Sequence, residues 1–220
     1  METLEKRKHD IVNHLTWDDR VDANEIFVHV EDGKVILTGE VPDFSAKLAA
    51  SKDAWMIEGV KSVENKLKVK FPDYDKLPDD AAITSTINYM LLWNDNILSS
   101  NIKVETRDRI VTLTGTVDSY WEKYLAENIA SSARGISDVV NLLDVELAKS
   151  LEDVDIQTDI EDALKRSGLV DEKNIHVSVH NGVATLTGTS PHYPGKNEAL
   201  DIAMYTSGVR NVMDKISIES

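Results

Sequence analysis

The pattern of apolar and polar residues along the chain occurs three times. Alternating apolar residues run from Ile26 to Val30 and then from Val35 into Leu-Thr-Gly, and the same arrangement starts again at Ile102 and at Ile175. The second copy lies 76 residues after the first and the third lies 73 residues after the second, and both offsets hold to the end of each copy. The chain therefore consists of three sequence repeats. We place them at residues 1–70, 79–147 and 154–220, with acidic linkers at 71–78 and 148–153.

Within each repeat the apolar period changes from helical to strand-like and back. Residues such as Ile83, Ile87 and Leu91 share one face at 3.6 residues per turn, and two short runs of period two follow them. Glu-Asp-Gly or His-Asn-Gly separates these two runs in the outer repeats and is typical of a hairpin turn. The second repeat has Arg109 in place of the glycine, so its turn has another type or an unfavourable backbone angle. We expect this hairpin to be the least regular of the three.

A second helix and a third strand complete each repeat. The helix carries a column of alanines that allows it to approach a sheet closely: Ala50 and Ala54, Ala126 and Ala130, and Ala199 and Ala203. Glycines 59, 135 and 208 are expected to close these helices in the left-handed conformation. A strand that follows a crossover helix lies parallel to the strand before it. The sequence therefore predicts an α+β fold of three tandem αββαβ units, each with a three-stranded mixed sheet and two helices on one face.

Composition and charge exclude several classes of function. The 220 residues include 24 Lys and Arg against 39 Asp and Glu, and the resulting net charge of -15 opposes binding to nucleic acid. The absence of cysteine excludes thiolate metal sites and cysteine nucleophiles. The first residues are charged where a signal peptide has an apolar segment. We therefore expect a cytoplasmic location, or a periplasmic one if a signal peptide has been removed.

Candidate catalytic and metal-binding residues do not form a recognisable site. His176 and His180 lie about 13 Å apart along one face of a strand, which is too far to bind one metal ion. The recurring Asn65, Asn141 and Asp214 are expected to form hydrogen bonds with the backbone of a neighbouring loop. Two acidic clusters lack a calcium-binding loop and fit helix N-termini better. Their members are Asp73, Asp75, Asp79 and Asp80, and Glu152, Asp153 and Asp155. We predict no enzyme activity, no catalytic residue, no metal site and no cofactor.

The second repeat has more apolar residues than one helix face can bury. Its first helix has Tyr89, Leu92 and Trp93 outside the core face, and Ile97 and Leu98 follow in the next loop. Further aromatic residues at the start of its second helix would extend the patch: Tyr120, Trp121 and Tyr124. An apolar surface of this kind marks an interface. The sequence leaves open whether another repeat, a protein partner or a lipid surface covers it.

The Leu-Thr-Gly sequence and the C-terminal segment of each repeat resemble the BON domain, which is named for bacterial OsmY and nodulation proteins. In the first repeat this segment is Gly59-Val60-x-x-Val63-x-Asn65-x-Leu67-x-Val69. The resemblance covers nearly the whole chain three times and is weakest in the second repeat, which lacks the hairpin glycine. It implies an OsmY-like, transport-associated protein built from small α/β binding modules without shared catalytic residues.

The same resemblance implies a function and a class of partner. BON domains occur mostly in bacterial envelopes, are linked to hyperosmotic and envelope stress, and are thought to bind phospholipid or envelope proteins. We therefore expect a non-catalytic binding or scaffold protein of the envelope or osmotic-stress type with phospholipid as the implied ligand. The alternative is a cytoplasmic protein-protein adaptor that contacts no lipid. The net charge favours this alternative, and the first repeat, at -3, is the least acidic of the three.

Overall fold

The computed structural model describes residues 2–72, 74–147 and 151–219 and has the predicted order of elements three times. The first repeat contains α1 (Glu2–Trp17), β1 (Ile26–Glu31), β2 (Lys34–Val41), α2 (Phe44–Trp55), β3 (Ser62–Asn65) and β4 (Lys68–Val69). The second contains α3 (Asp80–Leu92), β5 (Ile102–Arg107), β6 (Ile110–Val117), α4 (Tyr120–Ser131) and β7 (Asp138–Val145). The third contains α5 (Asp153–Arg166), β8 (Ile175–His180), β9 (Val183–Ser190), α6 (Tyr193–Tyr205) and β10 (Asn211–Ile218). The predicted α+β fold of three αββαβ units is confirmed.

The second strand is the central strand of each sheet, and the strand orders are β1-β2-β3, β5-β6-β7 and β8-β9-β10. In the first and third repeats the hairpin is antiparallel and the strand after the crossover helix is parallel to the central strand. The third strand of the first repeat is divided into β3 and β4, and both parts pair with β2. The sheets are therefore mixed, as the order of elements predicts.

All three hairpins use the same type of turn. Successive positive φ angles occur at Asp32 and Gly33 (48° and 85°), and again in the third repeat. Asp108 and Arg109 adopt equivalent angles of 50° and 64°, so the arginine takes up the left-handed conformation that glycine has elsewhere. Strands β5 and β6 also have the same lengths as β1 and β2, six and eight residues. The expectation that this hairpin is the least regular is therefore wrong.

In the first repeat the two helices cover one face of the sheet. The side chains of Ile11 and Leu15 on α1 are fully buried in the same core cluster as Ala50 and Ala54 on α2. Burial alternates along β1, so that Phe27 lies on the exposed face of the sheet. The third repeat has a corresponding core cluster, which includes Ile160, Leu164, Leu186, Ala199 and Ala203. Alanine has a short side chain, so the second helix of each repeat can lie close to the strands.

The chain packs into two compact units, and the division between them falls within the second repeat. One unit contains the first repeat and part of the second, with residues Met1–Tyr89, Val104–Thr112 and Ile129–Val140. The other contains the rest of the second repeat and the third, with residues Met90–Lys103, Leu113–Asn128 and Asn141–Ser220. Each compact unit therefore includes residues from more than one repeat.

The glycine of Leu-Thr-Gly is required by a close approach of two backbone segments. Gly39 has a φ of 117°, and a Cβ atom at this position would lie 1.9 Å from the carbonyl oxygen of Glu25. The same distance separates a Cβ at Gly115 from Asn101 O and a Cβ at Gly188 from Asn174 O. No side chain can occupy this space without displacing the backbone of the residue that immediately precedes the first strand of the repeat.

The glycines at 59, 135 and 208 have the expected positive φ angles, between 78° and 89°. Their predicted position at the helix end is wrong, because α2 ends at Trp55 and its C-cap residue is Met56. Gly59 therefore lies in the loop that leads into β3. A Cβ at Gly59 would lie 2.1 Å from the guanidinium group of Arg7, which is the far end of a flexible side chain.

These two kinds of glycine predict different costs of substitution in the first repeat. Gly39→Ala should lower the free energy of unfolding by more than about 3 kcal/mol, because the backbone itself must move. Gly59→Ala should lower it by about 1 kcal/mol, because Arg7 can rotate away and the positive φ remains as the main cost. Urea unfolding of both variants measures the difference, and equal costs would contradict this assignment.

A buried carboxylate lies between the two helices of the first repeat. Asp53 on α2 is 5% exposed, its Oδ1 lies 3.9 Å from His14 Nε2, and its Oδ2 has no hydrogen-bond partner within the described residues. Burial raises the pKa of Asp53, and repulsion from Asp18 raises it further. The pKa of Asp18 is lowered, chiefly by a side-chain hydrogen bond with Arg20. The other repeats have isoleucine at the positions equivalent to Asp53, so we expect the carboxylate to reduce the stability of the first repeat.

Asp53→Asn should stabilise the first repeat at pH 7, because it removes a carboxyl group whose charged form is disfavoured by burial. The native pKa lies above the value of 3.8 for an unperturbed Asp, so the native state binds the proton more tightly than the unfolded state. The parent should therefore gain stability as the pH falls from above the native pKa towards 3.8, and the advantage of the variant should decrease. Urea unfolding of both proteins at pH 7 and pH 4 tests this. An advantage that is independent of pH would contradict it.

Candidate interaction surfaces

The start of α3 is fixed by two consecutive aspartates. Asp79 caps the helix by accepting a hydrogen bond from Ala82 N at 2.8 Å. The carboxylate of Asp80 accepts hydrogen bonds from the backbone N–H groups of Asp108 and Arg109, at 2.8 and 3.1 Å. This contact joins the start of the helix to the hairpin turn.

Asp153 holds the hairpin turn of the third repeat in the same way as Asp80 holds that of the second. Its carboxylate accepts hydrogen bonds from Asn181 N and Gly182 N at 2.7 and 2.9 Å, and these bonds lower its pKa. Asp155 lies in the first turn of the same helix, and Glu152 occupies its N-cap position without a side-chain hydrogen bond. Of the other acidic-cluster residues, Asp73 lies outside the described residues, as does the side chain of Asp75. The described members therefore lie at helix starts, as the sequence predicts.

Three apolar side chains are exposed at the last residue of α3 and in the loop that follows it. We call these residues, Leu92, Trp93 and Leu98, the α3 patch. Trp93 is 82% exposed and Leu92 is 65% exposed, whereas Leu91 on the core face is buried. Tyr89 is also exposed, on the preceding turn of the same helix. Ile97 is only 8% exposed, so it contributes to the core and does not add to the patch.

Leu98 occupies a position that has an aspartate in both other repeats. Asp22 accepts a hydrogen bond from Asn24 N at 3.1 Å and caps a short 3-10 helix, and Asp171 accepts one from Lys173 N. In the second repeat Leu98 precedes the corresponding short helix without a side-chain hydrogen bond, and its side chain is exposed. The second repeat therefore has an exposed apolar group where the other two have a capping carboxylate.

The aromatic residues at the start of α4 mainly contact the third repeat, within one compact unit. Tyr120 packs against the core cluster of the third repeat, and burial raises the pKa of its phenol. The ring centroids of Trp121 and Tyr205 are 4.9 Å apart, and those of Trp121 and Tyr124 are 6.0 Å apart. Tyr124 is exposed. Tyr120 and Trp121 thus contact another repeat, which is one of the alternatives that the sequence left open. They do not extend the α3 patch.

Sequence reasoning did not predict the exposure of the aromatic residue that is equivalent to Trp93 in the first repeat. Trp17, at the end of α1, is 81% exposed and aligns with Trp93 of the second repeat. Its ring lies 6.0 Å from that of His14. The alignment of these two tryptophans was a usable signal, but the neighbouring residues Asn13 and Thr16 are polar, so no apolar patch was predicted there.

Arg109 joins the linker to the second repeat within one compact unit. Its guanidinium Nη1 donates hydrogen bonds to Pro78 O and Gly135 O, at 3.1 and 3.0 Å. The guanidinium carbon also lies 5.3 Å from the ring centroid of Phe71 and 4.4 Å from that of Tyr74. These four contacts offset the cost of the left-handed backbone angle. We call this arrangement the Arg109 clamp.

The recurring polar residue of the third strand has a structural role. Asn65 Nδ2 donates to Lys47 O at 2.7 Å, and Asn141 Nδ2 donates to Lys123 O at 2.8 Å. In the third repeat Asp214 instead forms an ion pair with Lys196 at 2.7 Å. The two asparagines therefore bind carbonyl groups of the second helix. In the first repeat Asn65 Oδ1 also accepts a hydrogen bond from Leu67 N at 3.0 Å, so the predicted bond with a loop backbone is present there, in the connection between β3 and β4.

The histidines on β8 lie away from the core. His176 and His180 are on the exposed face of the strand, as their spacing predicts. Among the described residues, no group of three or more His, Asp or Glu side chains could hold a metal ion. The surfaces that remain as candidate sites are therefore the apolar ones.

The fold defines a class of protein in which a small α+β module is repeated in tandem. The BON domain family model matches residues 4–70, 79–146 and 152–220. The chain belongs to the BON domain family. Within the described residues, no helix is both long enough and apolar enough to cross a membrane.

Three curated relatives support this assignment. Osmotically-inducible protein Y of Escherichia coli (strain K12) is 36% identical over 139 residues, which are 62% of this chain and 67% of that protein. The 21 kDa hemolysin of Actinobacillus pleuropneumoniae is 28% identical over 144 residues, or 64% of this chain and 72% of the relative. Outer membrane lipoprotein DolP of Haemophilus influenzae is 28% identical over 115 residues, which are 50% of this chain and 58% of that protein. The predicted resemblance to OsmY-like BON proteins is confirmed.

Arg109→Gly should separate the backbone role of this residue from its role in the clamp. Glycine relieves the positive φ angle, so hydrogen exchange in β5 and β6 should not accelerate. Loss of the guanidinium removes its contacts with the linker, so amide exchange at residues 71 and 74–77 should become at least about tenfold faster. Arg107→Gln is the control, because it removes a neighbouring charge and leaves the clamp intact. Unchanged exchange in the linker of the Arg109 variant would refute the clamp.

Proposed function

We propose that the chain is a non-catalytic binding or scaffold protein of the envelope or osmotic-stress type, and that the α3 patch contacts a phospholipid surface. The observation that carries the proposal is the exposure of Leu92, Trp93 and Leu98 together in one repeat. The equivalent positions are Thr16, Trp17 and Asp22 in the first repeat and Lys165, Arg166 and Asp171 in the third. Only the second repeat has three apolar residues there.

The missing cap at Leu98 adds to this argument. Replacing an aspartate cap by leucine forgoes a hydrogen bond that contributes about 1 kcal/mol at such a position and exposes an apolar side chain to water. Both changes are unfavourable for an isolated domain. Departures of this kind from local rules are expected where a surface binds something.

The names of the relatives support the biological setting. One relative is called osmotically inducible and another is called an outer membrane lipoprotein. A BON-domain chain related to both fits a role in the envelope or in osmotic stress. Binding without catalysis is consistent with the sequence, in which the recurring positions provide no nucleophile with an accompanying base.

The physical character of the proposed contact follows from charge. A net charge of -15 disfavours approach to anionic headgroups, so contact with lipid must be driven by apolar burial. Full burial of a large apolar side chain contributes about 1.5–3 kcal/mol, so three such residues give weak, reversible binding. Such binding should be stronger to zwitterionic than to anionic vesicles.

The second candidate is a protein-protein adaptor that uses the same α3 patch and contacts no lipid. The acidic net charge favours this candidate, because it opposes any contact with an anionic membrane. The two candidates differ in the surface that covers the patch, and vesicle binding therefore distinguishes them.

Leu98→Asp should reduce binding to phosphatidylcholine vesicles at least about fivefold in co-sedimentation. It should also leave the protein as stable as the parent or more stable, because the aspartate restores the cap found in the other repeats. Leu169→Asp is the matched control, because Leu169 has the same 57% exposure as Leu98 but lies in the third repeat. The control should bind like the parent.

A further variant, Leu92→Thr with Trp93→Arg, takes its residues from the other repeats and should also lose vesicle binding. If the parent fails to co-sediment with zwitterionic vesicles, the lipid proposal is wrong and the adaptor is favoured. If Leu98→Asp binds as well as the parent, the assignment of the contact to the α3 patch is wrong.

A further inference from the structure

A second candidate site, separate from the α3 patch, lies within one compact unit. A cavity of about 320 Å³ is formed where the start of α2, the linker and the loop after α4 meet. Small-molecule sites begin at about this volume. The cavity is partly open to solvent, so a ligand can enter it without unfolding any element.

The walls of the cavity are held in place before any ligand arrives. Phe71 in the linker and Gly135 in the loop after α4 both line the cavity, and both contact the guanidinium group of Arg109. The Arg109 clamp thus joins two of the three segments that form the walls. A strained residue retained by several surrounding contacts is a feature of ligand-binding regions, and a fixed wall reduces the entropy cost of binding.

The chemistry of the walls is apolar with one available cation. Pro42, Phe71, Pro72 and Leu77 provide apolar surface. Two charged residues also line the cavity. The carboxylate of Asp43 accepts a hydrogen bond from Ala46 N at 2.8 Å and is engaged as a helix cap. Arg134 is exposed and forms no hydrogen bond or ion pair with the described part of the chain, so its planar guanidinium is available to an anion.

We propose that this cavity binds a small amphipathic anion, with an apolar chain or ring packed against Phe71 and the prolines and one anionic group bound by Arg134. The apolar walls contribute most of the affinity, and Arg134 provides the preference for an anion over a neutral or cationic molecule of the same size. In a chain with a net charge of -15 an anion is not attracted by the overall field, so the preference has to come from this local contact.

The test is a titration of the full-length protein with octanoate, monitored by amide chemical shifts in NMR. Octanol and octyltrimethylammonium serve as neutral and cationic probes with the same chain length. We expect octanoate to shift amides at residues 43–45, 71, 74–77 and 132–136, and to bind at least about fivefold more tightly than either of the other probes. Equal binding of all three probes, or shifts confined to other regions, would overturn the proposal.

Two variants test the two parts of the site separately. Arg134→Gln should reduce affinity for octanoate at least about fivefold and leave octanol binding unchanged. Ser132→Trp, at an exposed residue that lines the cavity, should block all three probes. Leu98→Asp should bind octanoate like the parent, because the α3 patch belongs to the separate proposal above. Octanoate binding that is unchanged by Arg134→Gln would refute the role of Arg134, even if Ser132→Trp failed to fold.

Discussion

A BON repeat has barely enough apolar surface to form a stable core, and this constraint determines how the rest of the chain is built. A domain of about 65 residues buries only about 60% of the surface that its unfolded chain exposes. The repeats respond with second helices whose alanines are fully buried, as Ala50 and Ala54 are in the first repeat. They also share surface, since Tyr120 of the second repeat packs against the core cluster of the third. In such a chain the free-energy cost of exposing a cluster of large apolar side chains to water is not offset by packing.

The second repeat departs from the other two at positions where the departure weakens local structure. Arg109 has a backbone angle suited to glycine, and Leu98 lacks the capping oxygen of its equivalents. Each departure accompanies a candidate binding surface, since Arg109 contacts two segments of the cavity wall and Leu98 belongs to the α3 patch. We interpret the first and third repeats as the regular form of the module and the second as the form adapted to binding.

The periodicity of apolar residues was sufficient to predict the fold, because αββαβ order, hairpins and parallel crossovers follow from local patterns and short connections. The regular turn at Arg109 was not predicted, because the contacts that stabilise it come from Phe71, Tyr74 and Pro78 in the linker. The exposure of the side chains assigned to the patch was predicted only in part. A helical pattern identifies the residues outside one core face, but it does not show that Ile97 is buried or that Trp121 meets Tyr205. The cavity lay beyond sequence reasoning, because three distant segments form it.

The central claim is that the α3 patch enters a phospholipid surface, and the fluorescence of Trp93 tests it most directly. A variant with Trp17, Trp55 and Trp121 replaced by phenylalanine leaves Trp93 as the single tryptophan. On addition of zwitterionic vesicles that contain brominated phosphatidylcholine, the account predicts a shift of Trp93 emission to shorter wavelength and quenching by the bromine atoms. Emission that stays that of a water-exposed indole and is not quenched, while the protein co-sediments with the same vesicles, would contradict the account.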